Sequence, residues 1–154
     1  MKKIIMIVLF LVVSLFGGEI KLLDNNASDP VYILPLNKHT QWICEVKLKN
    51  GKTVQFISVK SMMQVYHHPE YFQRHDLLDD KIETLYVQDF LNGRRVEAKK
   101  AVYLFGSGMV GPHGDELIPF ESEASAKLFM LKNGGTKILP FEKLTKGLIK
   151  YMDM

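Results

Sequence analysis

The sequence predicts an α+β protein built from two ββαβ units, and three observations carry that prediction. Phe56, Ser58 and Ser61 recur as Phe120, Ser122 and Ser125 at a constant offset of 64 residues. Each triplet closes a strand and opens a helical pattern that leads to another strand, so one supersecondary unit is used twice. Asn50-Gly51 and Asn92-Gly93 lie between apolar runs, and such pairs supply the φ > 0 positions that tight hairpin turns need.

The N-terminus reads as a secretory signal over residues 1–18. Lys2 and Lys3 precede a run from Ile4 to Phe16 that is apolar apart from Ser14, and Gly17-Gly18-Glu19 follow. A basic start, an apolar stretch too short for a confident membrane span and small residues after it describe an export signal. The expected location is the periplasm, with membrane attachment only where the signal stays uncleaved. The formal charge of +3 falls to +1 without the two lysines, and the remaining cations are scattered. No basic patch suits a nucleic acid. With Cys44 as the one cysteine, no intrachain disulfide can form.

Residues 19–40 read as a flexible leader and arm, containing a polar D-N-N-A-S-D-P run and then V-Y-I-L-P-L broken at Pro35. Residues 41–98 form the first unit. Trp42, Cys44, Val46 and Leu48 alternate with Ile43, Glu45 and Lys47, the pattern of a half-buried strand. Its partner returns after Asn50-Gly51. Ser58 is placed to cap a helix through Val59, Met62, Met63, Val65 and Tyr66 that ends before Pro69. The adjacent methionines point about 100° apart, so at least one is expected in the core. His67, His68 and His75 fall in a polar stretch without an i, i+4 ligand pair, which reads as a solvated loop. The next strand spans residues 82–90.

Residues 99–154 form the second unit. A strand enters at residues 101–105, another leaves at 117–120, and Ser122 caps a helix whose apolar face is read as Ala124, Leu128, Phe129 and Leu131. Asn133-Gly134-Gly135 stops it. A last strand covers residues 136–140 and an amphipathic helix residues 142–151.

Between the paired strands of the second unit runs Y-L-F-G-S-G-M-V-G-P-H-G-D-E-L-I-P-F, residues 103–120. Glycines permit close approach and Pro112 fixes φ, so the loop should hold one shape that presents Met109 and His113. The alternative is a plain crossover, with Met109 filling core and His113 facing water.

Several stretches together resemble the NosL family of nitrous oxide reductase accessory proteins. They are Tyr86-Val-Gln-Asp-Phe90, Ala101-Val-Tyr-Leu-Phe-Gly-Ser107, Gly111-Pro-His-Gly114, Glu116-Leu-Ile-Pro-Phe120 and Gly134-Gly135. The resemblance implies a pair of ββαβ units related in fold to organomercurial lyase, export, and carriage of Cu(I) to the copper centres of nitrous oxide reductase or another copper protein. Members usually carry a Cys-Gly-Met segment about ten residues before the tryptophan matched by Trp42, where this chain reads Val31-Tyr-Ile-Leu-Pro35. Their Gly-Pro-Met-Gly is here Gly-Pro-His-Gly, with His113 in the methionine's place.

Cu(I) prefers thiolate, thioether and imidazole donors. The candidate set is therefore Met109 and His113 on the loop, His39 on the arm and Met62 as a weaker fourth. An enzyme using Cys44 as nucleophile would need a second thiol to hold mercury, so no catalytic residue is expected. The competing function is a metal-free module of the same family that binds a partner protein.

Overall fold

The computed structural model describes residues 18–154, so the expected signal segment lies outside the described residues. Two antiparallel sheets carry the fold. The first contains β1 (Cys44–Leu48), β2 (Thr53–Phe56), β3 (Ile82–Gln88) and β4 (Arg95–Glu97) in the order β2-β1-β3-β4. The second contains β5 (Val102–Phe105), β6 (Ile118–Phe120) and β7 (Lys137–Pro140) in the order β6-β5-β7. In both, the first strand of the unit sits between the second and the third, so the α+β architecture of two ββαβ units is observed, with β4 as an added edge.

The turn chemistry explains the first hairpin. Gly51 adopts φ 89° and donates its N–H to Leu48 O, which pairs Cys44 with Phe56 and Lys47 with Thr53. Each helix begins as its serine dictates. Ser58 Oγ accepts from Ser61 N at the start of α1 (Val59–His67), and Ser122 Oγ accepts from Ser125 N at the start of α3 (Glu123–Asn133). Pro69 starts a separate short helix, α2 (Pro69–Arg74). Gly134, at φ 73°, closes α3 by donating to Met130 O.

The repeat also includes a turn that precedes each unit. Asp29 Oδ2 accepts from Val31 N and Tyr32 N, and its Oδ1 accepts from Ile57 N, just past β2. Asp89 Oδ1 accepts from Leu91 N and Asn92 N, and its Oδ2 accepts from Glu121 N, just past β6. Ile33 N donates to Asp29 O as Gly93 N donates to Asp89 O. Both aspartates are buried. Each carboxylate thus satisfies backbone donors that would otherwise be orphaned where a strand gives way to a capped helix.

Four expectations need correction. Trp42 lies in a 3-10 turn, Thr40–Trp42, rather than in the strand. Strand β1 is covered on both faces, because residues of the arm close over Ile43 and Glu45: Ile20, Leu36, Ile43 and Ile57 form one cluster with Leu22, Tyr32 and Leu34 against it. The expectation of at least one core methionine holds for both, since Met62 and Met63 are fully buried with Cys44, Val46, Phe56 and Tyr103 where α1 is enclosed by β1, β2 and the C-terminal helix. In α3 the inward residues are Ala126 and Phe129, while Leu128 and Leu131 face solvent, Leu131 at 85% exposure. The last expected helix is also divided, into a 3-10 turn at Phe141–Lys143 and α4 (Lys146–Met152), which Thr145 caps.

Candidate functional site

The central loop, residues 106–117, is fixed from three sides. At its start Gly106 holds φ 75°, and a Cβ there would meet Thr136 Oγ1 at 2.2 Å. Gly108 N donates to Asn133 O at the end of α3, and Gly111 N donates to Gly114 O. At its far end Glu116 is buried, and its Oε1 accepts from Lys60 N on α1 and from Leu117 N. Gly111 is required beside it, since a Cβ would lie 2.6 Å from Glu116 Cβ.

Lys60 then reaches the loop with its ammonium. Nζ donates to His113 O at 2.7 Å and lies 3.3 Å from Asp153 Oδ1. Tyr32 completes the group. Its ring stacks on the His113 imidazole at 3.9 Å between centroids and 12° between planes, and its hydroxyl donates to Asp153 Oδ1. Arm, loop, α1 and C-terminus therefore meet around His113. Burial first, and then the hydrogen bond to Asp153, hold the Tyr32 phenol well above its usual range. Burial also pushes the Glu116 carboxyl up to about 7, against the lowering effect of its bonds to Lys60 N and Ser58.

The candidate donors fall in different surroundings. His113 is exposed at the Tyr32 stack. Met109 is half-buried and packs against the cluster of Trp42, Leu104, Ile118, Phe120 and Phe129, with its N–H donated to Ser107 Oγ. His39 is half-buried at the junction of two 3-10 turns, where its carbonyl accepts from Trp42 N. Met62 lies fully buried on α1, packed with Cys44, Val46, Phe56 and Tyr103 and away from the loop surface. Among the described residues no group of three or more His, Cys, Asp or Glu side chains is arranged to hold a metal ion.

Cys44 is fully buried, its thiol donates to Trp42 O, and burial raises its pKa well above the usual thiol range. It is the inert core thiol expected of its strand position. A cleft of about 580 Å³ lies between α1 and the C-terminal segment, lined by Met63, Tyr66, His67, Phe141, Leu144 and Lys146. None of these belongs to the loop.

Sequence reasoning missed Tyr32, Lys60, Glu116 and Asp153. Lys60 did leave a signal, as the one cation inside the V-K-S-M-M run of a core helix.

The family model for NosL matches residues 21–149. The chain belongs to the NosL family. Among solved structures it is similar to the crystal structure of the copper chaperone NosL from Shewanella denitrificans, with a TM-score of 0.66 at 18% identity, over 85% of this chain and 98% of that one. It also matches the solution NMR structure of the apo-NosL protein from Achromobacter cycloclastes, with a TM-score of 0.43 at 21% identity, over 69% and 87% of the two chains. The first of these likenesses shows that the NosL fold is shared. No curated protein gives a significant match. Among the described residues no helix is long and apolar enough to cross a membrane.

Proposed function

We propose that this NosL protein is exported and handles Cu(I) without catalysing a reaction, carrying the ion for the maturation of a periplasmic copper enzyme such as nitrous oxide reductase. The observation that carries the reading is the central loop. Its backbone is held by α1 through Lys60 and by α3 through Asn133, so a thioether and an imidazole, Met109 and His113, stand on one short braced segment. Both are donor types that Cu(I) prefers, and a carrier needs few ligands so that the ion can leave again. His39 is the third candidate. Copper here is cargo, and the copper chaperone named among the similar structures supports this direction.

A specific observation favours a second reading, a metal-free interaction module. The turn at residues 29–34 occupies the region where the family usually places Cys-Gly-Met. Within it Ile33 holds a left-handed conformation, and neither a cysteine nor a methionine is present. Tyr32 of this turn stacks on His113, so an aromatic ring, which offers Cu(I) no soft donor, lies against the imidazole of the loop.

Titration of the purified protein with Cu(I) against a competing chelator separates the two. The copper reading expects one tightly held equivalent in the parent and at least tenfold weaker binding, about 1.4 kcal/mol, in the Met109→Leu, His113→Ala double variant. Absence of stoichiometric binding by the parent leaves the metal-free module. Undiminished binding by the double variant moves the site off the loop.

A further inference from the structure

The D-N-N-A-S-D-P run is used by neither reading of the central loop. Asn26-Ala27-Ser28 satisfies the acceptor pattern for N-linked glycan, asparagine and then a hydroxyl residue two places on, with no proline between. Of the asparagines at 25, 26, 37, 50, 92 and 133, only Asn26 has serine or threonine at that position. Asp24 adds a carboxylate two residues before it, the extra element that bacterial glycan transferases read by charge pairing. A five-residue pattern is more specific than the three-residue one.

The fold presents the pattern to solvent. Asp24, Asn25, Asn26 and Ser28 are all exposed. The turn is closed by Ala27 N donating to Asp24 O and by Asn26 N donating to Asp24 Oδ1 at 2.8 Å. Among the described residues the Asn26 carboxamide makes no side-chain hydrogen bond, so it is free to react. The segment is anchored on either side, by Leu23 N on Gln55 Oε1 and by the buried Asp29 carboxylate. Opening the turn into the extended form that an enzyme cleft accepts breaks the two bonds to Asp24 and the exposed bond from Asn37 Nδ2 to Asn25 O, and it must also release Leu36 N from Ala27 O, where the half-buried Ala27 packs against the cluster of Ile20, Leu36, Ile43 and Ile57.

We propose that Asn26 is an N-glycosylation site, modified after export by a membrane-bound bacterial oligosaccharyltransferase with a polyprenyl-diphosphate-linked oligosaccharide as donor. In the transfer, Asn26 Nδ2 forms a bond to the anomeric carbon of the sugar. The bond from that carbon to the diphosphate oxygen breaks, the lipid diphosphate leaves with the electron pair, and one amide proton passes to a base of the enzyme. No oxidation or reduction occurs. The assignment rests on the proposed export and is independent of copper.

The full chain is expressed in a bacterial host that supplies such a transferase and its lipid-linked donor, and the purified folded protein is also incubated with both in vitro. Intact mass should rise by one glycan in each experiment. The increment should vanish in Asn26→Gln and Ser28→Ala and fall at least several-fold in Asp24→Asn, all exposed positions whose substitution leaves the fold intact. The proposal is overturned if the chain stays unmodified in vitro while a control acceptor is glycosylated, or if the increment survives in Asn26→Gln. Modification in vitro but not in cells upholds the acceptor site and overturns the export on which its use depends.

Discussion

Ile33 shows how much one backbone conformation can say. It is a β-branched residue at φ 58°, whereas the equivalent place in the second Asp turn holds Gly93 at φ 73°. The left-handed region costs an ordinary L-residue about 1–2 kcal/mol, while glycine there costs about 0.5–1 kcal/mol of extra unfolded-state entropy. Ile33 is 72% exposed, so its removal sacrifices little burial. Ile33→Gly should therefore stabilise the protein by about 0.5–1 kcal/mol, and Ile33→Asn, which also tolerates this conformation, by a similar amount. Urea unfolding midpoints check this, and a lower midpoint in both variants would remove the argument. Asp76, at φ 58° as well, is a residue type that accepts the conformation and needs no such relief. At this scale the sequence was least legible. Nothing in V-Y-I-L-P announces a left-handed isoleucine, and the four groups around His113 come from positions 32, 60, 116 and 153, which only the fold brings together.

Elements were far more legible, because their signals are local. The Asn-Gly turns, the two serine caps and the glycine stop of α3 all lie where the residue chemistry puts them. The two caps differ in their surroundings. Ser58 is buried and its side chain also acts on the Glu116 carboxyl, lowering its pKa against burial, whereas Ser122 is exposed and among the described residues its hydroxyl bonds only within its own turn, to Ser125 N and Oγ. Ser58→Ala should cost about 2 kcal/mol and Ser122→Ala about 1 kcal/mol or less, since the first also strips a partner from a buried carboxyl. Equal losses in thermal or urea melts would show that the second contact contributes nothing. The apolar face of α3 departs from its sequence pattern for a related reason. Helical periodicity ranks Leu128 and Leu131 as core, but α3 covers a sheet of only three strands, and Ala126 and Phe129 suffice to seal it. Periodicity gives the angle between residues, not the direction in which the partner sheet lies.

For the molecule as a whole, Glu116 is the point where the two units meet in one titratable group. It lies at the far end of the central loop, yet its carboxylate accepts from Lys60 N at the head of α1, and among the described residues its Oε2 has no hydrogen-bond partner. Burial raises its pKa from an ordinary 4.5 to about 7. Between those values the unfolded chain has released the proton that the folded chain still holds, so folded protein binds more protons and its stability falls as pH rises. The loss is complete above about pH 7 and is bounded at roughly 3 kcal/mol, since each pH unit separating the folded and unfolded pKa values is worth about 1.36 kcal/mol. His67 works in the opposite direction, because burial lowers its pKa and its contribution to stability grows as pH rises. The parent's slope is therefore a sum, and a variant is needed to isolate one part. Glu116→Gln keeps an oxygen for Lys60 N and Leu117 N but cannot ionise. Its urea midpoint should exceed the parent's at about pH 7.5 and approach it at about pH 4.5, where the parent's carboxyl is protonated in the folded chain. Parallel pH profiles for parent and variant would mean that the carboxyl titrates alike in the folded and unfolded chains and that burial at the joint between the units does not hold it as a neutral acid.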